Sequence, residues 1–338
     1  MKTYLVTLTP QEPFFFGNEK TFLFEKEENQ GQRGNSYYIR SERTPLQSTL
    51  MGMMRYILMP YKDHKHPEQN APVIGAESFK IDAENQSFGV IKKLSPLFVM
   101  NGGEKYVATP FDCMADCERY TPFSNYISVE TNSGKKLITD DFSAKKGIAD
   151  SYVRLSDGEL VQSNVIFGTE TRVGNLKATS GKNEKGFFKK EYVFLKDNFC
   201  FAFYAELDDG AVIPAGGKTT AFLGQGKSLF SVTFTEQNNT LYTETAKLLT
   251  AGMSYCLSDV FADAEVLHSC EFAVVDTRDY RAYITNPDGS ITKDPVLYKL
   301  IKAGSVFIIS DKEKFDALTQ KSNCQIAGYN CIVSKEEK

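Results

Sequence analysis

The chain has 338 residues, enough for one large domain or two ordinary ones with ample core. Its apolar fraction of 41% is that of an ordinary globular protein, and its formal charge of −4 excludes a protein that coats nucleic acid through bulk positive charge. A local basic groove stays open, because acidic residues can gather elsewhere.

Thr3 to Leu8 alternates as a strand does, and Pro13-Phe14-Phe15-Phe16-Gly17-Asn18 then turns the chain. Glu25 to Gly34 is polar and reads as a loop. The next segment predicts a helix. Thr44 is placed to cap it, Pro45 to open its first turn and Gln47 to complete a capping box. Leu46, Leu50, Met53, Met54, Ile57 and Leu58 give it an apolar face, and Pro60 ends it. Tyr61 to Pro72 reads as loop. Phe88 to Met100 and Lys105 to Thr109 read as strands around the Asn101-Gly102-Gly103 turn. Residues 112–165 read as an irregular insertion with local hairpins.

Lys189 to Leu195 and Phe199 to Leu207 predict a hairpin across Lys196-Asp197-Asn198, and Ser228 to Thr235 a further strand. The polar Gln237-Asn238-Asn239 marks the domain boundary. Beyond it, Thr240 to Gly252 predicts a helix. Phe272 to Asp276, Tyr280 to Ile284 and Ser305 to Ile309 predict strands, Lys312 to Leu318 a short helix, and Ser334 to Lys338 a frayed tail. The element order gives an α+β fold of βαββαβ type with insertions.

The most informative stretch is Phe167 to Phe234. Two aromatic-rich strands are flanked by two short loops that each set glycine beside a cation. Glycine lets backbone N–H groups approach an anion, and the cation supplies charge. One loop holds Arg172, Gly174 and Lys177, the other Gly224, Gln225, Gly226 and Lys227, with Lys189 and Lys190 on a strand between them. Each loop taken alone reads as a plain β-turn, and only together with Lys189 and Lys190 do the two read as a basic strip. Phe187 and Phe188 offer stacking faces to unpaired bases. A third candidate is the helix start, where Arg40 and Arg43 precede Gln47, Ser48 and Thr49. An ordinary capped core helix accounts for the same residues.

Cys113 and Cys117 lack a second ligand pair for zinc nearby. The cysteines Cys113, Cys117, Cys200, Cys256, Cys270, Cys324 and Cys331 form no disulfide ladder, and no leader is read before the first strand. Reduced thiols and a cytoplasmic setting are therefore expected. His64 and His66 lie in a lysine-rich loop and are the N-terminal candidates for a general base. No cofactor is implied.

In order, these segments resemble one family: the RAMP subunit of Cmr-type (type III-B) CRISPR effector complexes, the third Cmr protein of the Cas-five-like group. The resemblance rests on Pro13-Phe14-Phe15-Phe16-Gly17, on Thr44 to Arg55, on Thr109-Pro110-Phe111-Asp112 and on Glu170-Thr171-Arg172-Val173-Gly174. It continues through Gly186 to Tyr192, Leu223-Gly224-Gln225-Gly226-Lys227 and Ala303-Gly304-Ser305-Val306-Phe307.

The resemblance implies two ferredoxin-like (RRM-related) domains, residues 1–236 with an insertion near 112–165, and residues 241–338. It implies a non-catalytic subunit that binds the 5′ handle of CRISPR RNA beside the large polymerase-like Cas subunit and the first backbone RAMP subunit. The residues above, with Arg55 on the helix, become its expected RNA contacts. The alternative within the same superfamily is a metal-independent endoribonuclease that processes CRISPR repeat RNA.

Overall fold

Alternation in the first strand decides how the layers stack. In the computed structural model β1 (Lys2–Pro10) turns Leu5 to one side and Val6 and Leu8 to the other, all three buried. The structure describes residues 1–24, 35–62, 66–83, 85–132, 134–142, 145, 147–176, 186–224, 226–285 and 291–335. Strands β2 (Phe16–Phe24) and β3 (Asn35–Glu42) precede helices α1 (Gln47–Leu58) and α2 (Pro67–Ile74). Short strands β4 (Ile91–Leu94), β5 (Phe98–Asn101) and β6 (Glu104–Ala108) lead to a hairpin of β7 (Tyr126–Thr131) and β8 (Gly134–Thr139). Next come β9 (Ser151–Arg154), β10 (Leu160–Gln162) and the single turn α3 (Ser163–Ile166).

Three long strands follow, β11 (Phe167–Leu176), β12 (Gly186–Leu195) and β13 (Phe199–Leu207), then β14 (Lys218–Leu223) and β15 (Ser228–Glu236). The second half holds α4 (Leu241–Leu248), β16 (Met253–Cys256), β17 (Val260–Phe261), β18 (Cys270–Val274), β19 (Thr277–Tyr280) and β20 (Tyr283–Thr285). It closes with β21 (Ile291–Lys293), β22 (Tyr298–Ile301), β23 (Val306–Ile309), α5 (Lys312–Thr319), α6 (Ser322–Ile326) and β24 (Ile332–Ser334).

Among the described residues the largest sheet has nine strands, in the order β10-β9-β6-β5-β13-β1-β15-β14, with β4 also paired to β13. Its pairings are antiparallel. In the second half, β18-β23-β16-β24 form an antiparallel sheet. In each, four strands lie fourth, first, third, second in chain order: β15-β1-β13-β5 and β24-β16-β23-β18. Helix α1 lies on the first connection of the former, and α5 with α6 on the last connection of the latter. The fold is mixed α+β with mostly antiparallel sheets.

The two sheets pack face to face. Leu5, Ala202 and Tyr204 from one meet Met253, Tyr255, Val306 and Val333 from the other. The opposite face of the large sheet carries Val6, Leu8, Phe201 and Phe203 against Leu50, Met53 and Met54 of α1. The outer face of the smaller sheet sets Cys256 and Phe307 against Phe315 of α5. Strand β13 reads as a nearly unbroken apolar run because both of its faces are covered. Each such side chain contributes about 1.5–3 kcal/mol on burial.

Several expectations change. Lys189 to Leu195 and Phe199 to Leu207 form strands but no hairpin, because β12 pairs with β11 and β3 while β13 pairs with β1, β4 and β5 in the large sheet. Arg172 and Gly174 lie within strand β11 and not in a loop. The capping box does not form: α1 begins at Gln47, its N-cap is Leu46, and the N-cap side chain makes no capping bond. Tyr61 to Pro72 is not all loop, since Pro67 opens α2, where a missing N–H costs nothing. The 112–165 stretch is less irregular than its composition, because β9 pairs with β6 and carries β10 onto the edge of the large sheet. Glu25 to Gly34 lies outside the described residues.

Candidate nucleic-acid interface

Phe15 is the point on which two of the sequence-predicted elements converge. Its neighbours Phe14 and Phe16 turn into the α1-side core, while Phe15, 1% exposed, packs on the Tyr192 ring at 5.6 Å. The hairpin β11–β12 pairs Arg172 with Lys190 and Gly174 with Phe188. Lys190 Nζ lies 5.3 Å from the centre of the Phe15 ring, and the Arg172 guanidinium lies 4.5 Å from that of Tyr192. Both are cation–π distances. Glu170 Oε1 accepts a hydrogen bond from Arg172 Nε at 2.5 Å, which steadies the guanidinium over the ring.

The turn between β14 and β15 closes on the same residue. Gly224 has φ +75°, and a Cβ there would stand 2.3 Å from the Phe15 carbonyl oxygen. A Cβ at Gly226 would be 3.6 Å from Phe15 Cβ. Lys227, at φ +50°, is exposed beside them. The backbone therefore lies tight against Phe15, with Arg172 and Lys190 on the hairpin side and Lys227 in the adjoining turn. Lys177 and Gln225 fall outside the described residues, as do the side chains of Phe187 and Phe188.

The remaining expected contacts are elsewhere. Strand alternation puts Lys189 and Glu191 on the opposite face of β12 from Lys190. Strand β3 runs parallel to β12 and sets Arg40 beside Glu191, on the face of Lys189. The Tyr38 hydroxyl donates to Glu191 at 2.6 Å, and Arg40 lies over the Tyr38 ring at 5.4 Å.

The helix start is corrected outright as an open anion site. Gln47 is buried, and its Nε2 donates to the carbonyls of Ser95 at 2.8 Å and Gly328 at 3.0 Å. The Ser48 amide donates to the Tyr329 hydroxyl at 3.2 Å, and the Thr49 amide to the Leu46 carbonyl at 2.9 Å. Arg55 reaches inward to the Gly75 carbonyl at 2.9 Å, and burial lowers its pKa. The Ser48 and Thr49 amides and the Gln47 and Arg55 side chains, which an RNA phosphate would use there, are engaged inside the protein.

The face of Arg40 looks onto a groove of about 440 Å³ that the sequence did not reveal. Its walls come from β3, the Asp150 segment and the second half of the chain, including Asp259, Arg278 and Lys302. Most of its cations are paired. Arg43 binds Asp150 through both nitrogens and lowers the pKa of that carboxyl; Arg278 meets Asp259 at 2.5 Å; Lys302 meets Asp276 at 2.5 Å. Arg278 and Lys302 carry no local motif. Only tertiary packing brings them to Arg40, across more than two hundred residues of chain.

Among the described residues, no three His, Cys, Asp or Glu side chains gather as metal ligands. The Cys113 thiol is pushed up to about 11 by burial. His66 sits at the start of α2 against the Tyr61 ring at 4.6 Å, while His64 is outside the described residues. Among the described residues no helix is long and apolar enough to cross a membrane.

Residues 6–252 match the family model for the CRISPR-associated protein Cas_Cmr3. The chain belongs to the Cas_Cmr3 family. No curated protein matches it. Its fold is similar to a chain in the cryo-EM structure of the Type III-B Cmr-beta bound to cognate target RNA. That likeness has a TM-score of 0.53 at 14% identity and covers 98% of this chain and 96% of that one. A second such structure, with cognate target RNA and AMPPnP in state 1, gives a TM-score of 0.52 at 12% identity over 98% and 96%. At these identities the likeness is one of fold.

Proposed function

We propose that this chain is a non-catalytic subunit of a type III-B CRISPR effector complex that holds the unpaired 5′ handle of CRISPR RNA. The observation that carries the reading is the convergence of the β11–β12 hairpin and the Gly224–Lys227 turn on Phe15. Arg172 and Lys190 on the hairpin and Lys227 in the turn bring cations and a close-lying backbone to the elements that close on Phe15, a combination suited to phosphates. Family membership and the fold likeness to Cmr-beta chains support the assembly. The proposed partners are the large polymerase-like Cas subunit and the first backbone RAMP subunit. The paired four-strand orders support a reading as two ferredoxin-like units, residues 1–236 and 241–338. In the first unit β14 takes the place of the second crossover helix.

The test is coexpression with a CRISPR array and sequencing of the small RNA that copurifies. The expected result is RNA with a shared 5′ end, retained by wild type and depleted in the triple variant Arg172→Ala, Lys190→Ala, Lys227→Ala. Equal retention by the triple variant sinks the reading. Site-specific cleavage of repeat RNA without metal, lost in His66→Ala, replaces it with the ribonuclease.

A further inference from the structure

The edge of a β-sheet presents unpaired backbone groups, and proteins cover such edges or break them up. Of the four terminal strands of the two stacked sheets, three are covered. At one end of the large sheet β10 is short, the Leu160 amide donates to the Glu118 carbonyl at 2.9 Å, and Arg119 bridges to Glu159. In the smaller sheet β8 lies against β18, where Lys136 Nζ donates to the Cys270 carbonyl at 2.5 Å, and α4 packs on β24. The fourth terminal strand is β14. Among the described residues it pairs with β15 alone, and Thr219 to Leu223 make no other hydrogen bond.

Strand β14 lacks the devices that usually guard a bare edge. Its register on β15 runs without a bulge from Lys218–Thr233 to Leu223–Ser228, it holds no proline, and its one charge is Lys218 at the start. Ala221 and Leu223 turn into the core beneath α1. Lys218, Thr220 and Phe222 turn outward, and Phe222 is 65% exposed. Burying that ring against a partner is favourable, and every second residue of an edge strand also offers its N–H and C=O outward.

The chemistry of this surface selects its occupant. A row of outward backbone donors and acceptors is matched by another extended backbone, which adds as a strand. The outward face continues from Thr220 through Ser231 and Thr233 of β15 to Thr7 and Thr9 of β1, so hydroxyls adjoin Phe222. A polyanion needs a line of cations, which these positions do not supply. We propose that β14 receives an extended segment of another protein of the assembly, added as a strand along its free edge with an apolar side chain against Phe222. The inference rests on the reading of this chain as an effector-complex subunit, and it leaves Arg172, Lys190 and Lys227 to the RNA.

The test compares amide hydrogen exchange in the whole chain alone and in the coexpressed effector assembly, read at single residues by electron-transfer fragmentation. The amides of β14 that face β15 are slow in both. The alternate amides that face outward should slow about tenfold or more in the assembly. Phe222→Lys should leave the melting temperature of the free chain unchanged and lower its share of the purified assembly about tenfold when the chain is limiting. Should the variant melt earlier, the exchange comparison on the wild-type chain decides by itself.

Outward amides that exchange equally fast in both states overturn the proposal. Slowing in the free chain that grows with its concentration assigns the edge to a second copy and overturns the partner. Slowing reproduced by adding single-stranded RNA to the free chain overturns it likewise. Entry of the wild-type chain into the assembly without slowing at β14 overturns the edge alone and leaves the RNA-holding function standing. Failure of the wild-type chain to enter the assembly overturns both.

Discussion

The phenolic oxygen of Tyr329 accepts the backbone hydrogen of Ser48 at 3.2 Å and donates its own to Ser48 Oγ at 3.2 Å. A residue near the end of the chain thus caps the first helix, in place of the local cap that the sequence seemed to offer. The ring itself is fully buried and packs on Phe261 at 4.8 Å and Phe79 at 5.7 Å. Tyr329→Phe keeps that packing and removes only the cap. It should lower unfolding stability by about 1 kcal/mol in urea titration. An unchanged midpoint would show that the helix start is satisfied by other means.

Asp112 gives a pH dependence of defined sign. The residue is fully buried, and the Tyr120 hydroxyl donates to its two oxygens at 2.9 and 3.1 Å. Burial raises the carboxyl to about 6, against an ordinary value of 3.8, and the Tyr120 bond opposes the rise. The folded chain therefore holds the proton more tightly than the unfolded chain. The resulting stabilisation is complete below pH 3.8 and is lost as pH rises through about 6. A shift of this size corresponds to about 3 kcal/mol. Asp112→Asn should stabilise the protein at neutral pH by about 1–3 kcal/mol and flatten the pH slope between those two values relative to wild type. Melting curves of both proteins across that range decide it, and a variant that is less stable at neutral pH rejects it.

The reach of the sequence follows from how local each determinant is. Strands β1, β13 and β15 could be read because their apolar patterns reflect their own two faces. Helix α1 could be read from its stripe, but not its start, since the acceptors of the Gln47 amide lie 48 and 281 positions away. Prolines hid α2, because Pro67 at a first helical position looks in sequence like a loop residue. At the candidate site, glycine beside cations marked the Gly224–Lys227 turn, but the same signal at Arg172 and Gly174 read as a loop where β11 runs as a strand paired with β12. Their meeting on Phe15 was not legible, because it depends on a turn two hundred residues from Gly224. The same holds for Arg278 and Lys302, whose groove exists only once the halves have packed.

Gly224 tests how tightly that meeting point is built. At φ +75°, with the Phe15 carbonyl oxygen 2.3 Å from any added Cβ, alanine meets both backbone strain and a clash with a buried segment. Gly224→Ala should cost about 2 kcal/mol or more in urea titration. Gly102, also at positive φ but with open space around its Cβ, separates the two effects. Gly102→Ala should cost clearly less, through strain alone. Equal losses at both positions would mean that the contact with Phe15 contributes nothing.

Ionic strength distinguishes a phosphate cradle from a nonspecific cation effect. Neutralising one phosphate contact lowers the slope of log affinity against log salt by about one unit for each cation removed, slightly less on single strands. Arg172→Ala, Lys190→Ala and Lys227→Ala should each do so for a single-stranded RNA measured by anisotropy. Lys312, on α5 and paired with Asp316, lies outside the proposed patch and serves as the matched loss of charge. Its alanine variant should leave the slope unchanged. The three patch residues should also show incomplete additivity, because Arg172 and Lys190 are cross-strand partners and share one stretch of backbone on the RNA. If Lys312→Ala shifts the slope as much as Arg172→Ala does, the RNA is responding to overall charge, and the convergence on Phe15 has no part in holding it.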